Sequence, residues 1–98
     1  MLTFEQAKPL EGEVLTVVTP AGPVPLTVER VYVRERLVPM PPPFKPVFYI
    51  VMRGPPGVVF PQSCYRVEHA SFGALDLGVG PIEHDVVTDT YVYSLGIG

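Results

Sequence analysis

Short hydrophobic runs recur along this chain, and proline or glycine residues separate them. In most runs apolar and polar positions alternate, and the others are rich in β-branched residues or wholly apolar. The six runs are residues 13–19, 24–33, 47–53, 63–70, 73–80 and 89–97. Alternation of period two is typical of strands that turn one face toward a core. The pattern predicts an all-β fold, either a small six-stranded antiparallel sandwich or a partly open barrel.

Turn residues connect two pairs of these runs. The stretch "PAGP" joins residues 13–19 to residues 24–33, and "ASFG" joins residues 63–70 to residues 73–80. Two strand-like runs that are separated by a few turn residues predict a β-hairpin. We therefore expect two hairpins, one in each half of the chain.

The alternation changes phase inside the second run. The apolar positions of this run are Val24, Leu26 and Val28, followed by Val31 and Val33 on the opposite parity. One extra residue in a strand produces such a slip, because successive side chains point to opposite faces. We predict a β-bulge or a sharp bend around Glu29 and Arg30.

The third run is apolar at each position from Val47 to Met52. Such a run indicates a strand that is covered on both faces, either inside the domain or at the interface with a partner subunit. The sixth run alternates again, and its bulky residues share one face. These residues are Tyr91, Tyr93, Leu95 and Ile97.

The N-terminal residues predict one helical turn. Thr3 is a suitable N-cap, Glu5 and Gln6 follow it, and Pro9 must end the turn. We expect this turn to lie across one end of the sheet. Between the fifth and sixth runs, residues 81–89 predict a polar loop.

The stretch "PMPPPFKP" at residues 39–46 has three possible interpretations: a disordered linker, a recognition peptide for another protein, or a stiff loop inside one folded domain. Because strand-like runs continue after it, we interpret it as a loop inside a single β domain that covers residues 1–98. Such proline density favours a stiff polyproline II conformation. One interpretation is that Pro41, Pro42, Pro43 and Pro46 form a ligand for an aromatic groove. We favour the other, a rigid loop that shields a sheet edge or touches a neighbouring subunit.

Composition and charge restrict the class of protein. The chain has 98 residues, of which 47% are hydrophobic and 17% charged, so it suits one small folded core. The net charge of −3 argues against a nucleic-acid partner. The longest apolar run is far shorter than the roughly 20 residues that span a bilayer. The start "MLTFEQAKPL" lacks a signal-peptide pattern, so we expect a protein that is cytoplasmic at synthesis, free or within an assembled particle or appendage.

The few residues that could act in catalysis or bind a metal are better explained by a role in the structure of the domain. Cys64 is the only cysteine, and its offset of five from His69 sends the two side chains to opposite faces, so we expect a buried structural cysteine. Residues 82–85, "IEHD", with Asp89 offer a histidine and three carboxylates, but they lack the ligand spacing of zinc or EF-hand sites. Ser71 lacks the context of a nucleophile elbow. We predict no enzyme activity, no cofactor and no metal.

Several stretches of the sequence together resemble a known family. They are Leu2 to Phe4, Gly12, "MRGP" (52–55), "PQSCYRVEH" (61–69), "FGALDL" (72–77) and Pro81. In these stretches the chain is similar to a family of small bacterial β domains of unknown function. It departs from the family pattern at Ser63-Cys64 and in its tail, residues 84–98. The resemblance implies a compact β domain without an assigned activity, and an association with phage-tail-collar-type genes.

The aromatic and apolar residues exceed what we expect a chain of this size to bury. We therefore predict a non-enzymatic structural or assembly subunit, a homo-oligomer whose partner is itself, another structural protein, or both. An open sheet edge near residues 14–18, or the last strand, would make the contact. The predicted interface residues are Pro41, Pro42, Pro43, Phe48, Tyr49, Phe60, Tyr91 and Tyr93.

Three alternatives to this prediction stay open. In the first, the aromatic residues simply fill the core of the domain. In the second, they line a pocket of a small-ligand or carbohydrate-binding β module. The least favoured alternative is an enzyme that acts through Cys64 or His84.

Overall fold

The strands of this chain form one closed antiparallel barrel. The computed structural model describes residues 2–33 and 47–97. Over those residues the elements are α1 (Phe4–Ala7), a 3₁₀ turn (Lys8–Leu10), β1 (Val14–Thr19), β2 (Gly22–Val33), β3 (Phe48–Arg53), β4 (Ser63–His69), β5 (Gly73–Asp85) and β6 (Thr90–Ile97). Neighbouring strands follow the order β1-β2-β3-β6-β5-β4, and β4 returns to β1. This confirms the predictions of an all-β fold, six antiparallel strands and one short N-terminal helix.

Closure of the barrel removes the free sheet edges that the sequence led us to expect. β1 pairs with β2 along its whole length and with β4 from Thr16 to Val18. β6 lies between β3 and β5. The prediction of an open edge near residues 14–18 or at the last strand is therefore wrong. The β1–β4 pairing, with three residue pairs, is the shortest in the described part of the barrel.

Alternate side chains of the strands fill the barrel interior. The largest fully buried side chains are Tyr93, Leu15, Leu26, Ile50, Met52, Leu95, Val17, Val28, Val31, Val67 and Val79. Leu2, Ala7 and Leu10 of the N-terminal segment belong to the same core. All six strands and the N-terminal turn therefore share one hydrophobic interior.

Both hairpins predicted from turn residues are present. β1 pairs with β2 across the two-residue turn Pro20-Ala21, and β4 pairs with β5. β2 also pairs with β3, the strand that follows the proline-rich segment. The loop predicted at residues 39–46 lies outside the described residues.

The predicted bulge lies at Glu29. Between Val28 and Arg30 the register of β2 with β3 shifts by one residue, so Glu29 is the extra residue. This shift returns Val31 to the inner face, where it is buried, and turns Tyr32 outward. The bulge therefore decides which side chains of β2 reach the surface.

β5 is longer than the sequence predicted. It continues to Asp85, and the turn before β6 covers residues 86–89 only. The polar loop predicted at residues 81–89 is therefore too long. Ile82 is the extra residue of a second bulge. Because a bulge interrupts the alternation of period two, the strand does not show itself in the sequence pattern.

The N-terminal turn begins at the predicted cap. The Thr3 hydroxyl accepts the backbone N–H of Gln6, and the Gln6 side chain accepts the N–H of Thr3, which completes a capping box. α1 ends just before the 3₁₀ turn that contains Pro9. Phe4 packs edge-on against Phe48, with ring centroids 5.9 Å apart, at the end of the barrel where β3 begins. No helix in the described residues is long and apolar enough to cross a membrane.

The carboxylate of Glu11 fastens this N-terminal turn to β2. It accepts the backbone N–H of Val31 at 2.8 Å and an N–H of the Lys8 ammonium at 3.1 Å. These bonds, that from Val31 first, lower the pKa of Glu11 below its ordinary value. The stability of the protein should therefore depend on the charge of Glu11.

We expect Glu11→Gln to lower the free energy of unfolding near neutral pH and to weaken its dependence on acid. A carboxyl group with a lowered folded-state pKa contributes stability that is present above its unfolded-state pKa. That contribution is lost as the pH falls through the folded-state pKa. The difference between wild type and Glu11→Gln should be largest above about pH 5 and should shrink toward lower pH. Urea unfolding across this range measures it, with the exposed Glu83→Gln as control. A difference that does not vary with pH would contradict this role.

Candidate functional site

Two tyrosines stack on the outside of the barrel. Tyr32 and Tyr49 are cross-strand neighbours on β2 and β3, and their ring centroids lie 5.5 Å apart. The Arg30 guanidinium lies 4.3 Å from the centre of the Tyr32 ring. The neighbouring residues Val31 and Ile50 are buried, so alternation along the strands leaves the two tyrosines outside.

This stack continues across the sheet as a face of small and apolar residues. Gly96 of β6 is the cross-strand partner of Tyr49, and Ser94 is the partner of Val51. The Tyr49 ring lies over Gly96, where a Cβ atom would be 3.0 Å from Tyr49 Cε1. We call the set Tyr32, Tyr49, Val51, Ser94 and Gly96 the tyrosine face.

Glycines of β5 extend the tyrosine face into a groove. At Gly80 a Cβ atom would be 2.7 Å from Cγ of Gln62, whose side chain covers this position. Among the described residues, a Cβ atom at Gly78 would have no neighbour within 4 Å. The groove has a volume of about 260 Å³, and none of the described residues that line it is charged. We call it the glycine groove, lined by Tyr49, Gln62, Gly78, Gly80, Pro81, Ile82, Ser94 and Gly96.

Three of the predicted interface residues belong to the core instead. Phe48 is 5% exposed, Phe60 6% and Tyr93 0%. Phe60 stacks on Tyr93 with ring centroids 4.3 Å apart, and the Tyr93 hydroxyl donates to the carbonyl oxygen of Val58 at 3.3 Å. Burial raises the pKa of Tyr93. Because side chains enclosed in their own core have no surface to offer a partner, the structure assigns these three to the interior of the barrel.

The other predicted interface residues have different places. Tyr49 lies on the tyrosine face, where a partner can reach it. Tyr91 is half-buried and stacks on His84, with ring centroids 4.2 Å apart. Pro41, Pro42 and Pro43 lie outside the described residues. Tyr49 and Tyr91 are both half-buried, and of the two only Tyr49 stacks on an exposed tyrosine, Tyr32.

Tyr32 is a surface aromatic residue that was not among the interface residues predicted from the sequence. The sequence contains the signal, because the predicted bulge at Glu29 adds one residue to the strand. With that residue counted, Val31 returns to the inner face and Tyr32 must point outward.

At the opposite end of the barrel, Arg53 connects four strands on the exterior. Its guanidinium donates to Glu29 at 3.0 Å, to Asp85 at 3.1 Å and to the Thr90 hydroxyl at 2.6 Å. The bond to Glu29 is the main cause of a raised pKa of Arg53, and the N–H of Thr88 is the main cause of a lowered pKa of Asp85. Two carboxylates neutralise the guanidinium, so the cluster is an ion-pair network rather than an anion-binding site.

The candidate residues for metal and thiol chemistry are spread apart. His84 Nε2 lies 2.9 Å from Asp89 Oδ1. Across residues 2–33 and 47–97, no group of three or more His, Cys, Asp or Glu side chains could hold a metal ion. Cys64 is exposed, so the expectation of a buried cysteine is wrong. Because Tyr65 is buried, its neighbour Cys64 faces outward, on the face opposite to His69 as the offset of five predicted.

His69 lies between a carboxylate and a hydroxyl. Its Nε2 is 3.3 Å from Glu13 Oε1, and its Nδ1 is 2.9 Å from Ser71 Oγ. The backbone N–H of Ser71 also donates to Nδ1, at 3.0 Å. Because this nitrogen already accepts the N–H, it is poorly placed to take a proton from the Ser71 hydroxyl. The cluster fixes the β4–β5 turn to the chain before β1. Beside it is a cavity of about 280 Å³, lined by Leu2, Gln6, Pro9, Leu10, Glu13, His69, Ser71 and Phe72.

Residues 2–94 match a protein family described as Domain of unknown function (DUF6916). The matched range begins before α1 and ends within β6, so it includes nearly all of the barrel and most of the tyrosine face. No curated protein and no solved structure matches the chain. The chain belongs to the DUF6916 family.

Proposed function

We propose that this chain is a non-enzymatic structural or assembly subunit. It self-associates, or docks on a larger tail-like, capsid-like or surface-appendage assembly, through the tyrosine face. The proposal rests on the stack of Tyr32 and Tyr49, two aromatic rings that lie on the outside of a barrel whose core is filled by other residues. The tail-like context comes only from the resemblance to a family associated with phage-tail-collar-type genes.

The chemistry of the tyrosine face suits a contact between proteins. Tyrosine offers a large, rigid apolar area with a polar tip, and aromatic residues and arginine are enriched where proteins meet. Arg30 stands at the margin of the face, over Tyr32. Gly96 lets the Tyr49 ring lie flat against the sheet, and Ser94 beside it adds little bulk, so the ring is the most prominent part of this side of the face. Because the barrel has no free edge in its described part, this contact uses side chains instead of the strand pairing expected from the sequence.

We expect Tyr32→Glu to convert a wild-type oligomer into a folded monomer. The substitution removes an aromatic ring from the contact and puts a carboxylate in its place, and the water that this charge would lose in the contact disfavours association even with Arg30 beside it. Size-exclusion chromatography with light scattering across a concentration series gives the mass, and circular dichroism checks the fold. Val14→Glu is the matched control, because it places the same charge at an exposed valine of β1. A Tyr32→Glu protein with the wild-type mass would contradict a contact through the tyrosine face.

The cavity beside His69 favours a second candidate function, a small-ligand or carbohydrate-binding β module. Its volume of about 280 Å³ is just below the roughly 300–1,000 Å³ of ligand pockets, so only a small ligand would fit. Leu10 and Phe72 give it apolar walls, and Glu13 and His69 add polar groups. A ligand that raises the unfolding temperature of a monomeric protein, with the rise lost in Phe72→Ala, would support this candidate over the first.

A further inference from the structure

We propose that the tip of the β5–β6 hairpin docks on the tyrosine face of a second copy of this chain. Val86 and Val87 lie at this tip, in the turn of residues 86–89, and we call the two residues the valine tip. The inference rests on the proposed function, because it names the surface that the tyrosine face binds when the chain self-associates.

The valine tip is the most exposed apolar surface in the described part of the chain. Val86 is 81% exposed and Val87 95%. β4 pairs with β5 only up to Val79, whereas the β5–β6 pairing continues to Asp85 and Thr90, so the hairpin extends past β4. Single apolar side chains on a surface are ordinary, but two adjacent valines at the end of an extended hairpin form a patch. Burial of this patch against a partner would favour association.

Hydrogen bonds hold the valine tip in one conformation. Asp85 Oδ1 accepts the backbone N–H of Val87 at 3.1 Å and that of Thr88 at 3.4 Å. At the other end of the turn, the carbonyl oxygen of Asp89 accepts the N–H of Gly57 at 2.8 Å. A preorganised tip loses little conformational entropy when it binds, so more of the gain from burial remains.

The charges of the two surfaces are complementary. Glu83, Asp85 and Asp89 lie close to the valine tip in the hairpin. The Arg53 guanidinium pairs with one of these carboxylates, Asp85, so negative charge is in excess around the tip. The tyrosine face consists of uncharged residues, and the Arg30 guanidinium lies over one of its rings. Opposite charges beside two apolar patches attract the patches and fix their orientation.

Arg30 distinguishes the tyrosine face from the other basic sites of the described residues. Lys8, Arg53 and Arg66 each pair with a carboxylate of their own copy. Arg30 instead stacks on an exposed ring, beside its cross-strand neighbour Val51. A positive charge next to aromatic and apolar groups is the chemistry that an acidic, apolar tip requires.

The tip and the tyrosine face of one copy lie too far apart to meet. Thr90, at the start of β6, pairs with Asp85, whereas Gly96, under the Tyr49 ring, lies near the end of β6. At about 3.3 Å per residue the two positions are about 20 Å apart, and the paired strands cannot fold back. The valine tip must therefore reach the tyrosine face of another copy. Because each copy has one tip and one face, the contacts close in a pair or a ring, or continue as a filament.

Mixing two variants tests the contact. Tyr32→Glu alters the face and keeps the tip, and Val87→Glu alters the tip and keeps the face. We expect each variant alone to be a folded monomer by light scattering and circular dichroism. An equimolar mixture at high concentration should form a dimer with one copy of each and nothing larger, because one intact tip and one intact face remain. Val14→Glu, at an exposed valine of β1, should keep the wild-type mass.

A second set of variants removes the apolar groups without adding a charge. Val87→Ser should raise the dissociation constant of the contact about 10-fold to 100-fold, because a valine side chain is no longer buried there. Val87 is 95% exposed, so the substitution leaves the core intact and reports on the contact. Tyr32→Ser should weaken the association in the same way, and Arg30→Glu should weaken it through the charge that faces the tip.

Three outcomes would overturn the contact in distinguishable ways. If Val87→Glu keeps the wild-type mass while Tyr32→Glu is a monomer, the tyrosine face joins subunits without the tip, and the proposed function stands. If both variants are monomers and their mixture stays monomeric, the tip and the face do not bind each other. A wild-type chain that stays monomeric at high concentration overturns the contact together with self-association, and docking on another protein is then the remaining form of the proposed function.

Discussion

Replacement of Tyr93 by alanine is expected to cost about 3–5 kcal/mol of the free energy of unfolding. Tyr93 is fully buried, stacks on Phe60 and belongs to the hydrophobic core of the barrel. The substitution removes this stacking and leaves a cavity that the closed sheet cannot easily collapse. Because small domains have free energies of unfolding of only about 5–15 kcal/mol, much of the stability would be lost. Urea unfolding measures the change.

Tyr93→Phe is the matched control for that substitution. It keeps the ring and removes only the hydroxyl, which donates to the carbonyl oxygen of Val58. We expect a loss of about 1 kcal/mol. If Tyr93→Ala instead gave a stable, folded monomer, the tyrosine would be an interface residue, as predicted from the sequence, and its place in the core would be wrong.

Val17→Asp is expected to prevent folding, because it places a carboxylate inside the barrel at its shortest strand pairing. Val17 is 0% exposed and faces Val67 across the β1–β4 pairing. The substitution loses the burial of an apolar side chain, about 1.5–3 kcal/mol, and adds an unpaired buried charge that costs several kcal/mol more, so the sum approaches the whole free energy of unfolding of a small domain. Circular dichroism and the mass of the soluble protein report the outcome.

The neighbouring substitution, Val18→Asp, controls for the charge itself. Val18 is 37% exposed and points away from the core, so we expect its stability to change by less than about 0.5 kcal/mol. A Val17→Asp protein as stable as Val18→Asp would mean that β1 does not close the barrel. The free sheet edge expected from the sequence would then be restored.

Patterns of neighbouring residues were sufficient to predict most of the strands from the sequence. The "PAGP" and "ASFG" turns located the two hairpins, and the phase change before Val31 located the bulge at Glu29. Each of these features depends on residues that are close in sequence, and the geometry of a strand or turn follows from them. The second bulge, at Ile82, was missed because the flanking proline, charged residues and histidine show no alternation.

The candidate site was predicted less well than the strands. The sequence identified an excess of aromatic residues and one residue of the tyrosine face, Tyr49, but it also assigned Phe60 and Tyr93 to an interface. Alternation along a strand shows which residues share a face with a tyrosine, but it does not show whether that face points into the barrel or toward solvent. Cys64 shows the same ambiguity, because alternation placed it opposite to His69 without saying which of the two faces inward.

The sequence by itself determined the all-β class, the two hairpins, the bulge at Glu29 and the capped N-terminal turn, because short-range alternation, turn residues and capping groups govern them. Only the tertiary structure decided that β4 pairs with β1, that Tyr93 is enclosed, and that Tyr32, Tyr49 and the glycines form one exterior surface. Those features depend on which distant strands become neighbours and in what register. Closure of the barrel sets that register, since it requires all six strands to satisfy their hydrogen bonds and bury their inner faces together.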